Sequence, residues 1–382
     1  MFRPFYFLWL IMVLRVATIN VQGLRDSKKR LGVFTSLQRS GFDVIALQET
    51  HSDASVIEQW QREWSGLSCW SAASSTSAGV GILFSDRLPI SVRHEVTDSD
   101  GRLIRVTVEI SDSVLQIANV YGPNPCRLSD SNHFFHKLDS YLDPRLPLII
   151  LGDFNMVEKP FQDRDGGNVR NPQHVWGIQT LKPLLTRHHL VDVWRSHHPN
   201  FRSFTWHCRY NSIKSRLDRI YIPTSYLPHA STSYINHFVW SDHDVCAVEL
   251  TLPTQQVRGK GYWKLNLQFL QHPLYCDQIR AFWTDWQTKH DLFDSDLMWW
   301  DCGKSYIKAI SIEYAKQLHC DLKTKKYDLL ASLRRERTQP VPDVVRLRTL
   351  EDELFQLENE LNAKLFIHTH THRGPREARN TK

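Results

Sequence analysis

Seven short segments gather polar side chains that could do chemistry together: Thr18-Ile19-Asn20-Val21-Gln22-Gly23, Gln48-Glu49-Thr50-His51, Asn119-Val120-Tyr121-Gly122-Pro123-Asn124, Gly152-Asp153-Phe154-Asn155, Phe204-Thr205-Trp206, Ser215-Arg216-Leu217-Asp218-Arg219-Ile220 and Ser241-Asp242-His243-Asp244. Carboxylates, amides, a phenol and a histidine are the groups from which acid–base or cation-assisted chemistry is built. Glu49 stands directly after an apolar run, where a lone carboxylate calls for a cation, a hydrogen-bond donor or a surface salt bridge. A histidine between two carboxylates, ahead of the apolar run Val245 to Leu250, is the most specific signal. The others have ordinary explanations when taken singly. Gly152-Asp153 suits a turn, as does Asn20-x-x-Gly23, and Tyr121-Gly122-Pro123 would serve simply to close a strand.

Such a set needs a rigid frame, and the segments fall mostly at the ends of predicted strands. Val44-Ile45-Ala46-Leu47 and Leu148-Ile149-Ile150-Leu151 are continuous apolar runs, as expected of strands buried on both faces. Val16 to Asn20, Gly79 to Phe84, Leu103 to Val108, Leu115 to Val120 and Ile220 to Ile222 read as further strands. Helices are expected near residues 27 to 39, 53 to 64, 130 to 142 and 175 to 188. This alternation is that of a layered α/β protein, and two sheets with helices outside them is the simplest packing.

The character changes after Pro253. A polar linker over about 253 to 262 leads to a tryptophan-rich and then strongly helical connector, 263 to 367, and a disordered tail, 368 to 382. One helix is predicted from Asp296 to Arg337, stopping before Pro340 and Pro342, and a second to about Ile367. Leu347, Leu350, Leu354, Leu357 and Leu361 alternate three and four apart, the seam of a helical hairpin or short coiled coil. That seam packs on a neighbouring helix, or else supports self-association or a protein partner. The tail's His-Thr-His-Thr-His reads as an unstructured end, with metal binding the alternative.

Composition sets wider bounds. With 41% apolar and 23% charged residues in 382, the chain can build a sizeable core. The formal charge of +6 suits a polyanionic partner but by itself decides little. Seven scattered cysteines without a C-x-x-C pair exclude the usual zinc and redox patterns and imply reduced thiols in a cytosolic or nuclear protein. The apolar run Phe5 to Leu14 is too short to span a membrane and flows into the first predicted strand. Met12 is therefore the expected natural start, with residues 1 to 11 upstream sequence and no signal peptide.

In order and spacing, the seven segments together resemble the endonuclease/exonuclease/phosphatase superfamily over about residues 12 to 252. The resemblance implies a four-layer α/β sandwich and a hard divalent cation, normally magnesium with manganese as a substitute, acting on a phosphodiester. It implies that Glu49 and Asn20 hold the ion, with Asp242 a further carboxylate on the metal side. Asp153 and Asn155 would position and activate the attacking water. His243 would contact the scissile phosphate while Asp218 accepts from its other nitrogen, and Tyr121, Thr205 and Ser241 would serve the same phosphate. Ile19 stands where many members carry Trp in T-W-N, an exchange that should leave the ligand positions intact.

Local departures narrow the resemblance. Abasic-site repair enzymes commonly read W-R-L-D where this chain has Ser215-Arg216-Leu217-Asp218. Phe204-Thr205-Trp206 followed by that segment looks instead like the LINE retrotransposon endonuclease group, whose nuclease nicks DNA to prime reverse transcription. Gly259 to Asn266 resembles the linker toward the reverse transcriptase in Tx1-type elements, yet no Asp-Asp pair occurs, so a frame truncated before the polymerase is expected. Arg216, Arg219, Lys214 and Arg209 are candidate DNA phosphate contacts. Lys323, Lys325, Lys326, Arg334 and Arg335 form either a basic helical face or a solvated surface. The competing expectations are an abasic-site endonuclease or 3′-exonuclease, and a catalytically silent remnant that binds nucleic acid or a protein. A lipid-directed phosphatase is disfavoured because no amphipathic basic helix is evident.

Overall fold

The computed structural model describes residues 10–110, 113–124, 128–167, 171–208, 213–254, 265–339 and 342–371. The chain divides into two compact units, Met1–Val257 and Arg258–Lys382. In the first, β1 (Leu10–Asn20), β2 (Val44–Gln48), β3 (Ser68–Ser71), β4 (Val80–Phe84), β14 (Ala230–Asn236) and β15 (Val245–Thr254) form one mixed sheet in the order β14-β15-β1-β2-β4-β3. A second mixed sheet runs β10-β13-β8-β7-β6-β5, from β5 (Ile90–Thr97), β6 (Leu103–Ile110), β7 (Ser113–Tyr121), β8 (Leu148–Asp153), β10 (Leu190–Asp192) and β13 (Asp218–Pro223). A small sheet joins β9 (Arg164–Asp165), β11 (Trp206–His207) and β12 (Lys214–Ser215).

Period-two alternation explains the layers. Val16, Val44, Ala46, Ile149, Leu151, Ile220 and Val248 point into one core between the sheets. Their neighbours Ala17, Ile19, Ile45 and Leu47 turn to the opposite face and pack against α1 (Ser27–Ser40) and α2 (Ala54–Glu63). Leu148, Ile150 and Tyr221 likewise meet α3 (Leu128–Ser140) and α5 (Ile178–Arg187) on the outside of the second sheet. Three cores thus separate four layers, as expected from strands that are apolar without interruption. α1 is closed by Asp26, whose carboxylate accepts from Lys29 N, and by Gly41 in the left-handed region. α4 (Pro160–Asp163) is a short turn beside β9 of the small sheet, and α6 (Val193–His197) is a short turn packed against β10, β13 and β14.

Polar groups cross the inner core at one level. Gln48 Nε2 donates to Thr18 Oγ1 at 3.0 Å within its own sheet and to Asn119 Oδ1 at 2.7 Å in the other. Asn119 Nδ2 returns two bonds, to the carbonyls of Leu47 and Gly81.

The second unit holds α7 (Pro273–Gln287), α8 (Asp296–Arg337) and α9 (Val344–Thr371). Buried Leu330 and Leu333 on α8 and Leu350, Leu354 and Leu357 on α9 line the seam of a hairpin, flanked by ion pairs Lys326–Glu358 and Arg337–Glu351. Two expected boundaries move. β15 continues to Thr254, because its antiparallel partner β1 begins already at Leu10, and α9 continues past Ile367 to Thr371. Residues 255–264, including most of the Gly259 to Asn266 segment, and 372–382 of the tail lie outside the described residues. No helix among the described residues is long and apolar enough to cross a membrane. Cys69, Cys208, Cys246, Cys276, Cys302 and Cys320 are free thiols.

Replacing Asn119 by Leu removes three inter-strand bonds and leaves buried carbonyls without a donor, so the variant should lose about 3 kcal/mol of stability in urea unfolding. A loss under about 1 kcal/mol would mean that water takes over the bridge.

Candidate active site at the strand ends

The inward-facing rows turn polar where the strands end. Continuing the alternation by two residues along each strand gives Asn20 on β1, Tyr121 on β7 and Asp153 on β8, while Asp218 opens β13. The register brings these ends level, since Asn20 lies opposite Gln48, and Asp153 opposite both Tyr121 and Asp218. Gly152 permits the close pairing of β8 with β7: its φ is +146°, and a Cβ there would lie 1.9 Å from the Val120 carbonyl oxygen.

Side-chain bonds then join the two sheets. Asn20 Nδ2 donates to Glu49 Oε1 at 2.9 Å and to Asp153 Oδ2 at 3.0 Å. The Tyr121 hydroxyl donates to Glu49 Oε1 at 2.8 Å. Asn155 donates its backbone N–H to Asp153 Oδ1 and its amide to the Gly122 carbonyl. His243 Nδ1 meets Asp218 Oδ2 at 2.8 Å, and its Nε2 lies 4.0 Å from Asp153 Oδ2. Glu49, His51 and Asn155 have positive φ of 50°, 54° and 51°, a concentration of uncommon backbone conformations of the kind that collects where side-chain aim matters more than local ease.

Burial and neighbours set the charges. Burial pushes the Asp153 carboxyl up, Asp218 adds to this, and His243 together with the donors Asn20 and Asn155 opposes it, leaving Asp153 well above the ordinary carboxylate range. Burial alone would lower the His243 imidazole, but Asp218, then Asp153 and Asp242, outweigh it and raise the pKa to about 10. His243 is therefore an imidazolium at neutral pH. Burial, then Glu49, pushes the Tyr121 phenol up, so it keeps its proton.

Carboxylate oxygens left without donors are atoms that could hold a cation. Glu49 Oε1 is occupied by Asn20 and Tyr121, whereas Oε2 has His51 Nε2 at 3.9 Å. Asp242 Oδ2 accepts from Trp206 Nε1 at 3.2 Å, while its buried Oδ1 has no hydrogen-bond partner. Carboxylate oxygens of this kind suit a hard divalent ion. Asp153, Asp218 and His243 also bring ligand-type atoms within 4.8 Å of one another. In that trio Asp218 Oδ2 is bonded to His243 Nδ1, which orients the ring, and the buried Asp218 Oδ1 has no hydrogen-bond partner.

The Endonuclease/Exonuclease/phosphatase family matches residues 17–243, more than half of the chain. The chain belongs to this family. It is 30% identical over 312 residues to the Transposon TX1 uncharacterized 149 kDa protein of Xenopus laevis, a match covering 80% of this chain and 23% of that one. It is 25% identical to an exodeoxyribonuclease of Bacillus subtilis, over 63% of this chain and 99% of the relative. Among solved structures, an AP endonuclease from Archaeoglobus fulgidus superposes with a TM-score of 0.51 at 22% identity, over 62% of this chain and 99% of that one. The AP endonuclease LMAP from Leishmania major gives 0.53 at 16% identity, over 63% and 88%. These likenesses establish a nuclease-family fold.

Within this family frame, four sequence-derived assignments change. Arg216 and Arg219 are 1% and 0% exposed and cannot reach DNA phosphates. Arg216 Nε pairs with Asp163 Oδ1 at 2.9 Å and Nη1 with Asp192 Oδ2 at 2.6 Å, while Arg219 donates to the Met156 carbonyl and approaches Asp163 at 3.5 Å. Alternation explains Arg219: it faces away from Asp218, into the protein. Thr205 is also fully buried, its Oγ1 accepting from Leu217 N and Asp218 N, so it serves backbone rather than a phosphate. Ser241 donates to the Asn20 carbonyl and accepts from His243 N, which fixes the two segments to each other. Arg209 lies outside the described residues, and Lys214 is half-buried. Lys323, Lys325, Arg334 and Arg335 are exposed on α8.

Other contributors carried no predicted role. Gln48 and Asn119 support the site from beneath, Arg102 stacks over Tyr121 at 4.7 Å, and Asp163 gathers Arg195, Arg216 and Arg219. Gln48 and Asn119 open two of the seven polar segments, and their inward parity is the signal of a supporting role.

Burial pushes the Asp163 carboxyl up, but Arg216 and Arg219 outweigh it and hold it well below the carboxylate range. A folded-state pKa below the unfolded value of about 3.9 stabilises at neutral pH and is lost as pH falls below that value. Asp163→Asn should therefore cost about 3–5 kcal/mol at pH 7, with the gap to wild type narrowing below about pH 4 in urea midpoints. A gap independent of pH would contradict the ion-pair account.

Proposed function

We propose that this protein is a magnesium-dependent phosphodiesterase that nicks DNA, a retrotransposon-type endonuclease. The observation that carries this reading is the continuous contact chain from Glu49 through Asn20 to Asp153 and on to the His243–Asp218 pair, which assembles an acidic metal side and a cationic donor side around one point. The relatives support DNA as substrate: a transposon protein at 30% identity and an exodeoxyribonuclease at 25%.

Glu49, Asn20 and Asp242 would hold the cation, the first and last through their spare carboxylate oxygens. When bound, magnesium supplies Lewis-acid polarisation of the phosphate and neutralises its charge. The protein's own groups do the remainder. His243, protonated and oriented by Asp218, presents Nε2–H to a phosphate oxygen. Asp153, with raised proton affinity and aimed by Asn20 and Asn155, exchanges a proton with the attacking water or the leaving oxygen. Tyr121 keeps its one phenolic proton and donates it to Glu49; a bond to the phosphate would require that proton to turn from Glu49.

Supercoiled plasmid incubated with the protein should convert to open circles in magnesium and not in EDTA. Glu49→Ala and His243→Ala should each lower the rate by roughly 100-fold or more while remaining folded. Efficient cleavage of a duplex carrying an abasic site, with intact plasmid untouched, would move the reading to a repair-type endonuclease. Full activity of either variant would remove the site proposed here.

A further inference from the structure

We propose that Thr205 and Arg216 are positioning residues that clamp the segment 215–219 from two sides and thereby set Asp218 against His243; this rests on the nuclease reading of the site. Asp218 opens β13, where the ladder has only begun, so its aim depends on what holds the residues just before it. On one side Thr205 Oγ1 uses both lone pairs, accepting from Leu217 N at 2.9 Å and Asp218 N at 3.0 Å. The main chain of Thr205 extends the same clamp in both directions. Its N–H donates to the Ser215 carbonyl at 3.0 Å, and its carbonyl accepts from Asp244 N at 2.6 Å. The next residue, Trp206, forms a β-bridge with His243 itself. One threonine thus joins the backbone that carries Asp218 to the backbone that carries His243.

From the other side, Arg216 donates its backbone N–H to the Asp163 carbonyl at 2.8 Å and divides its guanidinium between Asp163 and Asp192. Trp194 covers the guanidinium at 5.3 Å. A lysine could not bond both acids with this planar geometry. Release of either side would let residues 216–218 shift and open the 2.8 Å contact between Asp218 and His243.

The test compares wild type, Thr205→Val, which keeps the shape and loses the acceptor, and Thr205→Ser, which restores it. The readouts are the low-field proton resonance of the His243 Nδ1–H, identified by its loss in His243→Gln, and the kinetics of plasmid nicking. We expect the valine variant to lose or shift the resonance and to drop kcat by roughly 100-fold with KM within about twofold, and the serine variant to retain both. If the valine variant does not fold, Arg216→Lys carries the same expectation. A folded Thr205→Val or Arg216→Lys protein with the resonance and kcat unchanged overturns the proposal, as does an equal loss in Thr205→Ser. A wild type that does not nick, with the resonance responding as described, overturns the nuclease reading and leaves the clamp standing.

Discussion

The carboxyl groups of Glu49 and Asp153 enter the site from different sheets, and the single amide of Asn20 donates to both. Two carboxyl groups converging in a buried place repel each other and resist losing water, so the arrangement persists only where fixed donors compensate. Asn20 can do this because it is inward-facing at the end of the central strand β1, between its sheet neighbours and across from β8. The surrounding features serve that placement. Gly152 lets β8 run close to β7, the Gln48–Asn119 bridge ties the sheets one level below, and Ser241 fastens the His243 segment to the Asn20 carbonyl.

Two charge clusters adjoin β13 among the described residues, and the sign of their excess separates them. Around the candidate site stand Glu49, Asp153, Asp218 and Asp242 against one imidazolium, His243, with Glu49 Oε2, Asp218 Oδ1 and Asp242 Oδ1 left without hydrogen-bond donors. That acidic excess is what a divalent cation would offset. The neighbouring knot sets Arg195, Arg216 and Arg219 against Asp163 and Asp192, with bonds that satisfy the acids in place. With its acids bonded in place and one positive charge in excess, this cluster offers a cation nothing and acts as a fastener. Neighbouring residues of β13 therefore serve different clusters, with Asp218 facing the site and Arg219 facing the knot.

Membership of the endonuclease/exonuclease/phosphatase family accounts for the first unit, and the match to the Xenopus laevis transposon protein reaches further along the chain than that unit. The second unit is built on other principles: a long helix and its partner share a leucine seam, and aromatic contacts such as Trp283–Trp299 and Trp286–Tyr306 hold α7 to α8.

Much of this was readable in the sequence for a physical reason. Strands buried on both faces must be apolar throughout, so Val44 to Leu47 and Leu148 to Leu151 announced themselves, and Asp296 to Arg337 was bounded by the prolines that follow it. The polar residues at the strand ends were conspicuous because nothing in a core explains them. Strands such as β3, β5 and β14 were not legible, since they are short, or carry exposed polar faces, and take their conformation from the neighbour that pairs with them. Side-chain role was the other matter that only the tertiary structure decided. Arg216 and Thr205 sit in a motif rich in catalytic groups, and no pattern of residue types distinguishes an arginine turned to solvent from one turned to Asp163. Which way each points depends on strand register and on acids supplied from distant parts of the chain, quantities fixed when the layers pack and carried by no single segment.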